Sequence, residues 1–223
     1  MPMMRVHDDS IDAVAEIVPL TDEARRRFPI YIDLLRRWQR AQNLVAPSTL
    51  PEVWRRHVAD SAQALAAWPQ ARRWLDLGAG AGFPGLVTAI LLADEPDARV
   101  DLVESNLGKA AFLRTVARET GAPAFVHSER IEAAVPRFTG NIEAVSARAL
   151  AGLPRLLGLA APVLEAGAVG VFHKGRDFPV EVNEALRDWA FNLVEHPSRI
   201  EPGGRIALIR DVAPRSPSRG NRQ

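Results

Sequence analysis

The most constraining feature of this chain is the glycine-rich segment DLGAGAGFPG at residues 76–85. It follows an apolar run, RWLDL at 73–77, and precedes a second one at 84–93. A strand, a glycine turn and a helix form the first unit of a doubly wound sheet, whose ligands bind beyond the carboxyl ends of the strands. Glycines let the turn approach a ligand closely because they carry no Cβ. The segment therefore predicts an α/β fold with a ligand site at this turn.

Strand and helix patterns alternate over the following 120 or so residues, as is typical of a mostly parallel sheet. We predict further strands at 100–104, 124–127, 142–146, 168–173, 191–200 and 205–210. We predict the intervening helices near 106–121, 131–135, 153–163 and 178–189. Glu-Pro-Gly-Gly at 201–204 indicates a hairpin, which makes the final strand antiparallel to the others.

The chain divides into three parts by composition. Residues 1–70 predict an N-terminal helical extension packed on the same domain, with helices at 10–18, 21–42 and 52–68 and a loop at 43–51. Residues 71–211 form the Rossmann-like core. The basic tail, residues 212–223, has little to bury and is expected to be disordered.

The predicted helix at 21–42 is amphipathic. Its apolar arc contains Phe28, Tyr31, Ile32, Leu35 and Trp38, and arginines occupy the other side. Eight arginines oppose two acidic residues between Arg25 and Arg56, whereas the net charge of the whole chain is only +1. This asymmetry favours a polyanionic partner. The expected RNA-binding residues are Arg36, Arg37, Arg40, Arg56 and Lys174.

Several classes of protein are excluded or disfavoured by what the sequence contains. Cysteine is absent, which excludes disulfides, cysteine-rich metal sites and a thiolate nucleophile, and no metal site is predicted. The longest nearly uncharged apolar run, residues 83–93, is about half a membrane span. No signal segment opens the chain, so we expect a cytoplasmic protein without membrane attachment. We also expect it to act as a monomer.

The glycine segment fits two cofactor patterns. Gly80, Gly82 and Gly85 match the G-x-G-x-x-G fingerprint of dinucleotide-binding enzymes, and Glu104 follows about 20 residues later. The same segment, starting at Asp76, also matches the looser acidic-plus-glycine loop of S-adenosylmethionine (SAM) enzymes. In both patterns Glu104 is placed to accept hydrogen bonds from the hydroxyls of a ribose.

Three features favour the SAM pattern. Asp76 stands just before the glycines, where a carboxylate favours a cationic ligand over a pyrophosphate. Pro84 removes a helix N-terminal N–H that a pyrophosphate would use. The antiparallel final strand resembles the arrangement of Rossmann-like methyltransferases. We therefore expect SAM as cofactor.

A wider set of motifs resembles the glucose-inhibited-division B family, the small-subunit ribosomal RNA methyltransferases G. The similar segments are LRRWQRAQNL at 35–44, RHVADS at 56–61, the glycine loop at 75–85, Glu104-Ser105, Lys109, Phe112-Leu113, RIE at 130–132, SARA at 146–149 and Lys174-Gly175. They follow one another in the family's order. Gln39 and Ala79 depart from its pattern, which has Asn and Ser or Thr there.

The resemblance implies methylation of N7 of a guanine in 16S ribosomal RNA (rRNA), free or in the small subunit, with S-adenosylhomocysteine (SAH) as product. It places Gly78 and Phe83 on the methionine side of the cofactor, Ile131 and Glu132 on the adenine side, and Arg148 beside cofactor and target. The full set of expected cofactor residues is Asp76, Gly78, Ala79, Gly80, Gly82, Phe83, Glu104, Ser105, Ile131, Glu132 and Arg148.

Guanine N7 has a lone pair and no proton, so its methylation needs no general base and depends mainly on positioning. Arg148 is the expected catalytic positioning residue, because its guanidinium can hold a phosphate or a guanine edge. A salt bridge from Arg148 to Asp76 or Glu132 is the structural alternative. Lys174 is a second catalytic candidate, through phosphate contact, and it is one of only two lysines in the chain.

Two other functions remain open on the sequence. One is a dinucleotide-dependent oxidoreductase, which NAD or NADP rather than SAH would stabilise. The other is a non-catalytic RNA-binding assembly factor, which would bind RNA with a steep salt dependence and transfer no methyl group.

Overall fold

The computed structural model describes residues 9–215, which build a seven-stranded sheet. Its strands are β1 (Arg73–Leu77), β2 (Arg99–Val103), β3 (Ala124–His127), β4 (Ala144–Arg148), β5 (Val169–Lys174), β6 (Trp189–Pro197) and β7 (Arg205–Pro214). They lie in the order β3-β2-β1-β4-β5-β7-β6. Only β7 runs antiparallel to its neighbours, β5 and β6. This topology confirms the predicted mostly parallel sheet with an antiparallel final strand.

Eight α-helices surround the sheet within the described range. They are α1 (Asp12–Ala15), α2 (Asp22–Gln42), α3 (Asp60–Ala67), α4 (Gly85–Leu91), α5 (Leu107–Thr120), α6 (Ile131–Ala134), α7 (Leu153–Leu164) and α8 (Phe178–Ala185). A π-helical segment, Trp54–Ala59, leads into α3. Across residues 9–215, no helix combines the length and apolar content needed to span a bilayer.

Two apolar cores lie against the sheet, one on each face. Adjacent residues of a strand point to opposite faces, so Trp74 belongs to one core and Leu75 to the other, and both are fully buried. The first core also contains Phe28 and Tyr31 of α2. The helical extension is therefore continuous with the core that supports β1.

Helix α2 begins and ends as its sequence predicts. The Thr21 hydroxyl caps it by accepting a hydrogen bond from the backbone N–H of Ala24, and Asn43 ends it in the left-handed conformation. From its buried face, the Tyr31 hydroxyl donates to the carbonyl of Ala81 at 2.6 Å. This bond ties α2 to the glycine segment.

Several predicted boundaries were wrong. The helix expected over 178–189 ends at Ala185, and Trp189 already belongs to β6. Residues 47–52 form a 3-10 helix where a loop was expected. Strand β7 continues to Pro214 with Val212 buried, because β6 supplies backbone partners that the sequence does not reveal. The tail prediction thus began too early, and residues 216–223 lie outside the described range.

Candidate active site

The glycine segment turns sharply at the carboxyl end of β1. Gly78 has a φ of 65°, in the left-handed region that glycine adopts without steric cost. A Cβ added there would lie 2.7 Å from Cδ1 of Leu150, in the β4–α7 loop. Gly78 thus allows both the turn and the close approach of the neighbouring loop.

A cleft of about 250 Å³ opens beside this turn and is called the cofactor cleft below. Six of the predicted cofactor residues line it: Gly78, Gly80, Glu104, Ser105, Ile131 and Glu132. Residues Lys109, Glu129, Arg130, Leu150, Ala151 and Arg155 also contribute to its wall. The cleft therefore joins the carboxyl ends of β1 and β2 to the start of α6.

Glu104 connects the two sides of the cofactor cleft. Its Oε2 accepts from the Gly80 N–H at 2.9 Å, and its Oε1 accepts from the Asn106 N–H at 2.7 Å. A carboxylate has about four lone-pair positions, so each oxygen retains capacity for another donor. Glu104 can hold the loop and bind hydroxyl groups at the same time.

Asp76 has a structural role in place of the expected ligand contact. It is 1% exposed; Oδ1 accepts from the Ser146 hydroxyl at 2.6 Å and Oδ2 from the Gly85 N–H at 3.1 Å. Burial raises the pKa of this carboxyl to about 7, against the lowering effect of these two hydrogen bonds. Asp76 thus links β1, β4 and α4 beneath the cofactor cleft.

Three more expected cofactor residues lie beneath or beside the cleft wall. Ala79 is 2% exposed, and its N–H donates to the carbonyl of Val103, so its missing hydroxyl leaves no gap in the wall. Gly82 packs on Leu86, where a Cβ would collide. Phe83 is 6% exposed and stacks on His57, with ring centroids 5.0 Å apart. Ala79 and Gly82 thus pack against the core, and Phe83 packs against the extension.

Arg148 also lies outside the cofactor cleft, and its partners come from the extension. Its Nη1 forms a salt bridge to Asp60 Oδ2 at 3.1 Å, and its Nη2 donates to His57 Nδ1 at 2.8 Å. The proposed alternative partners, Asp76 and Glu132, were wrong. His57 of the π-helical segment and Asp60, the first residue of α3, both face the end of β4. Arg148 therefore fastens the extension to the sheet.

The hydrogen bonds of His57 define its protonation. Nδ1 accepts from Arg148, while Nε2 lies 2.7 Å from the Thr49 hydroxyl, which itself donates to the carbonyl of Ala46. The proton is therefore on Nε2. Burial, aided by the Arg148 charge, lowers the pKa of His57 to about 4. His57 is a neutral acceptor that orients Arg148, and the Arg148 guanidinium bridges His57 and Asp60.

Lys174 is not the exposed phosphate contact that the sequence suggested. Its side chain is 5% exposed, and Nζ donates to Glu181 Oε2 at 2.7 Å and to the Ala151 carbonyl at 2.9 Å. The same Glu181 oxygen accepts from the Leu153 N–H at 2.7 Å. Lys174 and Glu181 together hold the end of the 149–152 loop that leads into α7.

A second cavity of about 290 Å³ adjoins the cofactor cleft at this loop. Ala151 lines both spaces, Leu150 borders only the cofactor cleft, and Ala149 only the second cavity. The second cavity lies at the carboxyl ends of β4 and β5, beneath the β6–β7 turn. Arg148, His173, Lys174, Glu181, Glu201 and Arg205 are among its wall residues.

Comparison with known proteins identifies the family. The model of the family described as rRNA small subunit methyltransferase G matches residues 24–202. This chain belongs to that family. A protein from Methylobacterium nodulans named ribosomal RNA small subunit methyltransferase G is 48% identical over 207 residues, which are 92% of this chain and 97% of the relative. One of the same name from Rhodopseudomonas palustris is 46% identical, over 93% of this chain and 90% of the relative.

Solved structures of other proteins share the fold of this methyltransferase G family member. A cofactor-bound protein from MTB aligns with a TM-score of 0.57 at 16% identity, covering 91% of this chain and 96% of the other. An O-methyltransferase from Bacillus cereus in complex with SAH aligns with a TM-score of 0.54 at 13% identity, covering 90% and 96%. At these identities the likeness shows the fold alone.

The arginines predicted to bind RNA lie on the surface of the family's helical extension. Arg36, Arg37, Arg40 and Arg56 are all exposed. Arg37 pairs with Asp33 and Arg56 with Glu52, whereas Arg36 and Arg40 form no ion pair within residues 9–215. Arg36 and Arg40 are one helical turn apart, so they present two adjacent charges on one face.

Sequence reasoning missed some residues that the structure places in the walls of the two cavities. Glu181 was not singled out, although a carboxylate seven residues after one of only two lysines was a usable signal. Nothing in the sequence pointed to Leu150 or Ala151, because apolar loop residues carry no chemical signature. Their position between two cavities emerges only from the fold.

Proposed function

We propose that this protein transfers a methyl group from SAM to N7 of a guanine in 16S rRNA and releases SAH. The observation that carries the proposal is the placement of a glycine-walled cleft, with a carboxylate at the end of β2, beside a second cavity across one short loop. Membership of the rRNA small subunit methyltransferase G family supports both the reaction and the substrate.

The residues of the cofactor cleft fit an adenosyl group. Glu104 retains acceptor capacity for the two ribose hydroxyls, and the glycine turn at residues 78–80 brings the backbone to the cleft without side chains. Ile131 and Leu150 supply apolar surface for a flat ring. When bound, SAM supplies a methyl group made electrophilic by its positively charged sulfur.

The groups that contact Arg148 fit a reaction that needs no proton removal. The Nδ1 lone pair of His57 is already used by Arg148, and Asp60 is paired with the same guanidinium. The chain therefore acts by positioning, which for a well-oriented pair lowers a barrier by several kcal/mol, on the order of 7 or more. Arg148 acts as a positioning residue, because it joins the extension to the end of β4.

The exposed arginines of α2 are proposed to contact phosphates, and Arg36 and Arg40 are the best candidates because no carboxylate neutralises them. Lys174 is not proposed as a phosphate contact, because its ammonium is buried in an ion pair with Glu181. We also propose that the protein works as a cytoplasmic monomer. The exposed large apolar side chains of residues 9–215 support this, because they lie on separate elements, for example Leu107 on α5 and Val180 on α8.

The decisive experiment is to incubate purified protein with labelled SAM and small-subunit RNA, naked or assembled, from cells lacking the activity, and to map the modified nucleotide. We expect one N7-methylguanine. Label in another base, or on the exocyclic amine of guanine, would contradict the substrate assignment. RNA binding without transfer would favour the assembly-factor alternative.

Cofactor use is tested separately by binding of SAH. Glu104→Ala should weaken SAH binding by about tenfold or more, since it removes a half-buried acceptor and the Gly80 anchor. The matched control is Glu119→Ala, an exposed carboxylate at the far end of α5. Thermal stabilisation by NAD, with none by SAH, would instead support the dinucleotide alternative.

A further inference from the structure

The second cavity adjoins the cofactor cleft at the loop of residues 149–152. Ala151 lines both spaces, and Leu150 packs against Gly78 on the cleft side. A flat group bound in the second cavity therefore lies against the same loop that borders the cofactor. Lys174 and Glu181 hold this loop in place through hydrogen bonds to Ala151 and Leu153.

The cations in the wall of the second cavity are already paired. Arg148 pairs with Asp60, Lys174 with Glu181 and Arg205 with Glu195. These pairs leave the cavity without a free positive side chain within residues 9–215. It is therefore poorly suited to a phosphate group.

Acceptors, by contrast, remain unused in the same wall. The Glu201 carboxylate and Oε1 of Glu181 have no hydrogen-bond partner in the described part of the chain. The ring of His173 donates from Nε2 to the Asp60 carbonyl, and its buried Nδ1 has no partner. Among the side chains of the wall, the only buried donor without a partner within this range is Nε of Arg205. The side chains of the cavity thus offer mainly acceptors to a ligand.

Among the RNA bases, guanine fits such a wall best. Its Watson–Crick edge presents two adjacent donors, N1–H and the N2 amino group, whereas adenine and cytosine present an amino group beside an acceptor. When N7 faces the cofactor cleft, the N1 and N2 edge points away from it. Methylation at N7 also makes the base cationic, and a free carboxylate stabilises that charge.

We propose that the second cavity is the pocket for the target guanine, which enters turned out of the RNA stack, and that Glu201 accepts hydrogen bonds from its N1 and N2 edge. Glu181 Oε1 supplies a second acceptor. This inference rests on the proposed function and adds the place and the recognition of the base. Turning out a nucleotide is how enzymes reach a base inside folded nucleic acid.

Gly175 offers a way to fill the pocket without disturbing the fold. It is exposed and lines the second cavity, and a Cβ added to it meets no atom within 4 Å. Gly175→Leu therefore places a side chain at the pocket at little cost in stability. Gly158→Leu is the matched control, because Gly158 is equally open but lies on the exposed side of α7, outside both cavities.

Methyl transfer to rRNA and SAH binding are measured for both variants. We expect Gly175→Leu to lower kcat/KM for RNA by about tenfold or more with unchanged SAH affinity, and Gly158→Leu to match the parent protein. Equal activity of the two variants would overturn the pocket assignment, as would parallel loss of SAH binding. If the parent protein itself methylates no guanine, the proposed function fails, which the control measurement reveals directly.

Glu201→Gln tests the recognition of the base. The amide keeps the shape of the side chain but replaces one acceptor with a donor, so we expect a fall in kcat/KM for RNA of about tenfold. Glu165→Gln, an exposed carboxylate just after α7, is the control and should show no change. A Glu201→Gln variant as active as this control would overturn the role assigned to Glu201.

Discussion

The cofactor cleft and the second cavity share one loop but are built in different ways. The cleft is formed by segments that directly follow strands β1, β2 and β3, and the backbone of the glycine turn provides much of its shape. The second cavity is formed by charged side chains from distant parts of the chain, which neutralise one another in pairs. The shape of the cofactor cleft therefore depends on backbone conformation, whereas that of the second cavity depends on ion pairs between distant residues.

The largest expected effect is on the buried pair of the second cavity. Lys174→Met leaves Glu181 without its cation in a largely buried position, so we expect the free energy of unfolding to fall by about 3–5 kcal/mol. Chemical denaturation measures this loss. Arg37→Met, which breaks the exposed pair with Asp33, is the control and should cost less than about 1 kcal/mol. Similar losses in the two variants would remove the distinction between buried and surface pairs.

The second prediction concerns pH on the side of the cofactor cleft. The Asp76 carboxyl has a pKa of about 7 in the folded protein, against 3.8 as an unperturbed group. Between these values the unfolded chain releases its proton while the folded protein retains it, so stability falls as pH rises from about 4 to 7.

The Asp76→Asn variant cannot lose this proton and should escape the decline. We expect its stability relative to the parent protein to increase by about 2–4 kcal/mol from pH 4 to pH 8, as measured by urea denaturation. A constant difference between parent and variant would contradict a raised pKa at Asp76.

The third prediction concerns His57, for which stability changes with pH in the opposite direction. His57 has a pKa of about 4 in the folded protein and 6.5 as an unperturbed group, so its contribution is complete above pH 6.5 and is lost as pH falls towards 4. His57→Phe keeps an aromatic ring against Phe83 but cannot be protonated. We expect the parent to lose about 1 kcal/mol more than the variant between pH 7 and pH 5, after allowance for solvent screening. A parallel decline in both proteins would disprove the neutral, acceptor state of His57.

The smallest effects are expected on the surface, away from both cavities. Arg36→Ala and Arg40→Ala should each weaken RNA binding a few-fold and reduce the salt dependence of log K by about one phosphate contact. SAH binding should not change. Arg37→Ala is the matched comparison, because Asp33 already neutralises Arg37. Equal effects of all three substitutions would show that the ion pair does not shield Arg37 from RNA.

Much of the cofactor cleft was predictable because its residues follow strands in the sequence. Gly78, Gly80 and Glu104 were identified from their spacing, and all three line the cleft. A ligand contact was expected for Asp76 because it precedes the glycines in the sequence. The sequence does not show in which direction its side chain points. Residues of a strand alternate between faces, and only the sheet register shows that Ser146 and Gly85 take up its carboxylate.

The second cavity was largely hidden from sequence reasoning. Arg148 and Lys174 were selected as functional because each lies at the end of a strand. The partners suggested for Arg148 were wrong, and no partner was predicted for Lys174. Asp60 lies 88 residues from Arg148 in the chain, and the two meet only because the extension packs over the end of β4. The sequence therefore suggested free charges where the structure has neutralised ones.

The sequence by itself determined the alternation of strands and helices, the glycine turn, the capped amphipathic helix α2 and the antiparallel final strand. These features depend on local conformational preference and on the periodic placement of apolar residues, both of which are written in neighbouring positions. The pairing of the charges, the burial of the Asp76 carboxylate and the loop that borders both cavities emerge only in the folded chain. Such properties depend on the distances between residues far apart in the chain, because an ion pair or a hydrogen bond exists only where folding brings its two groups together.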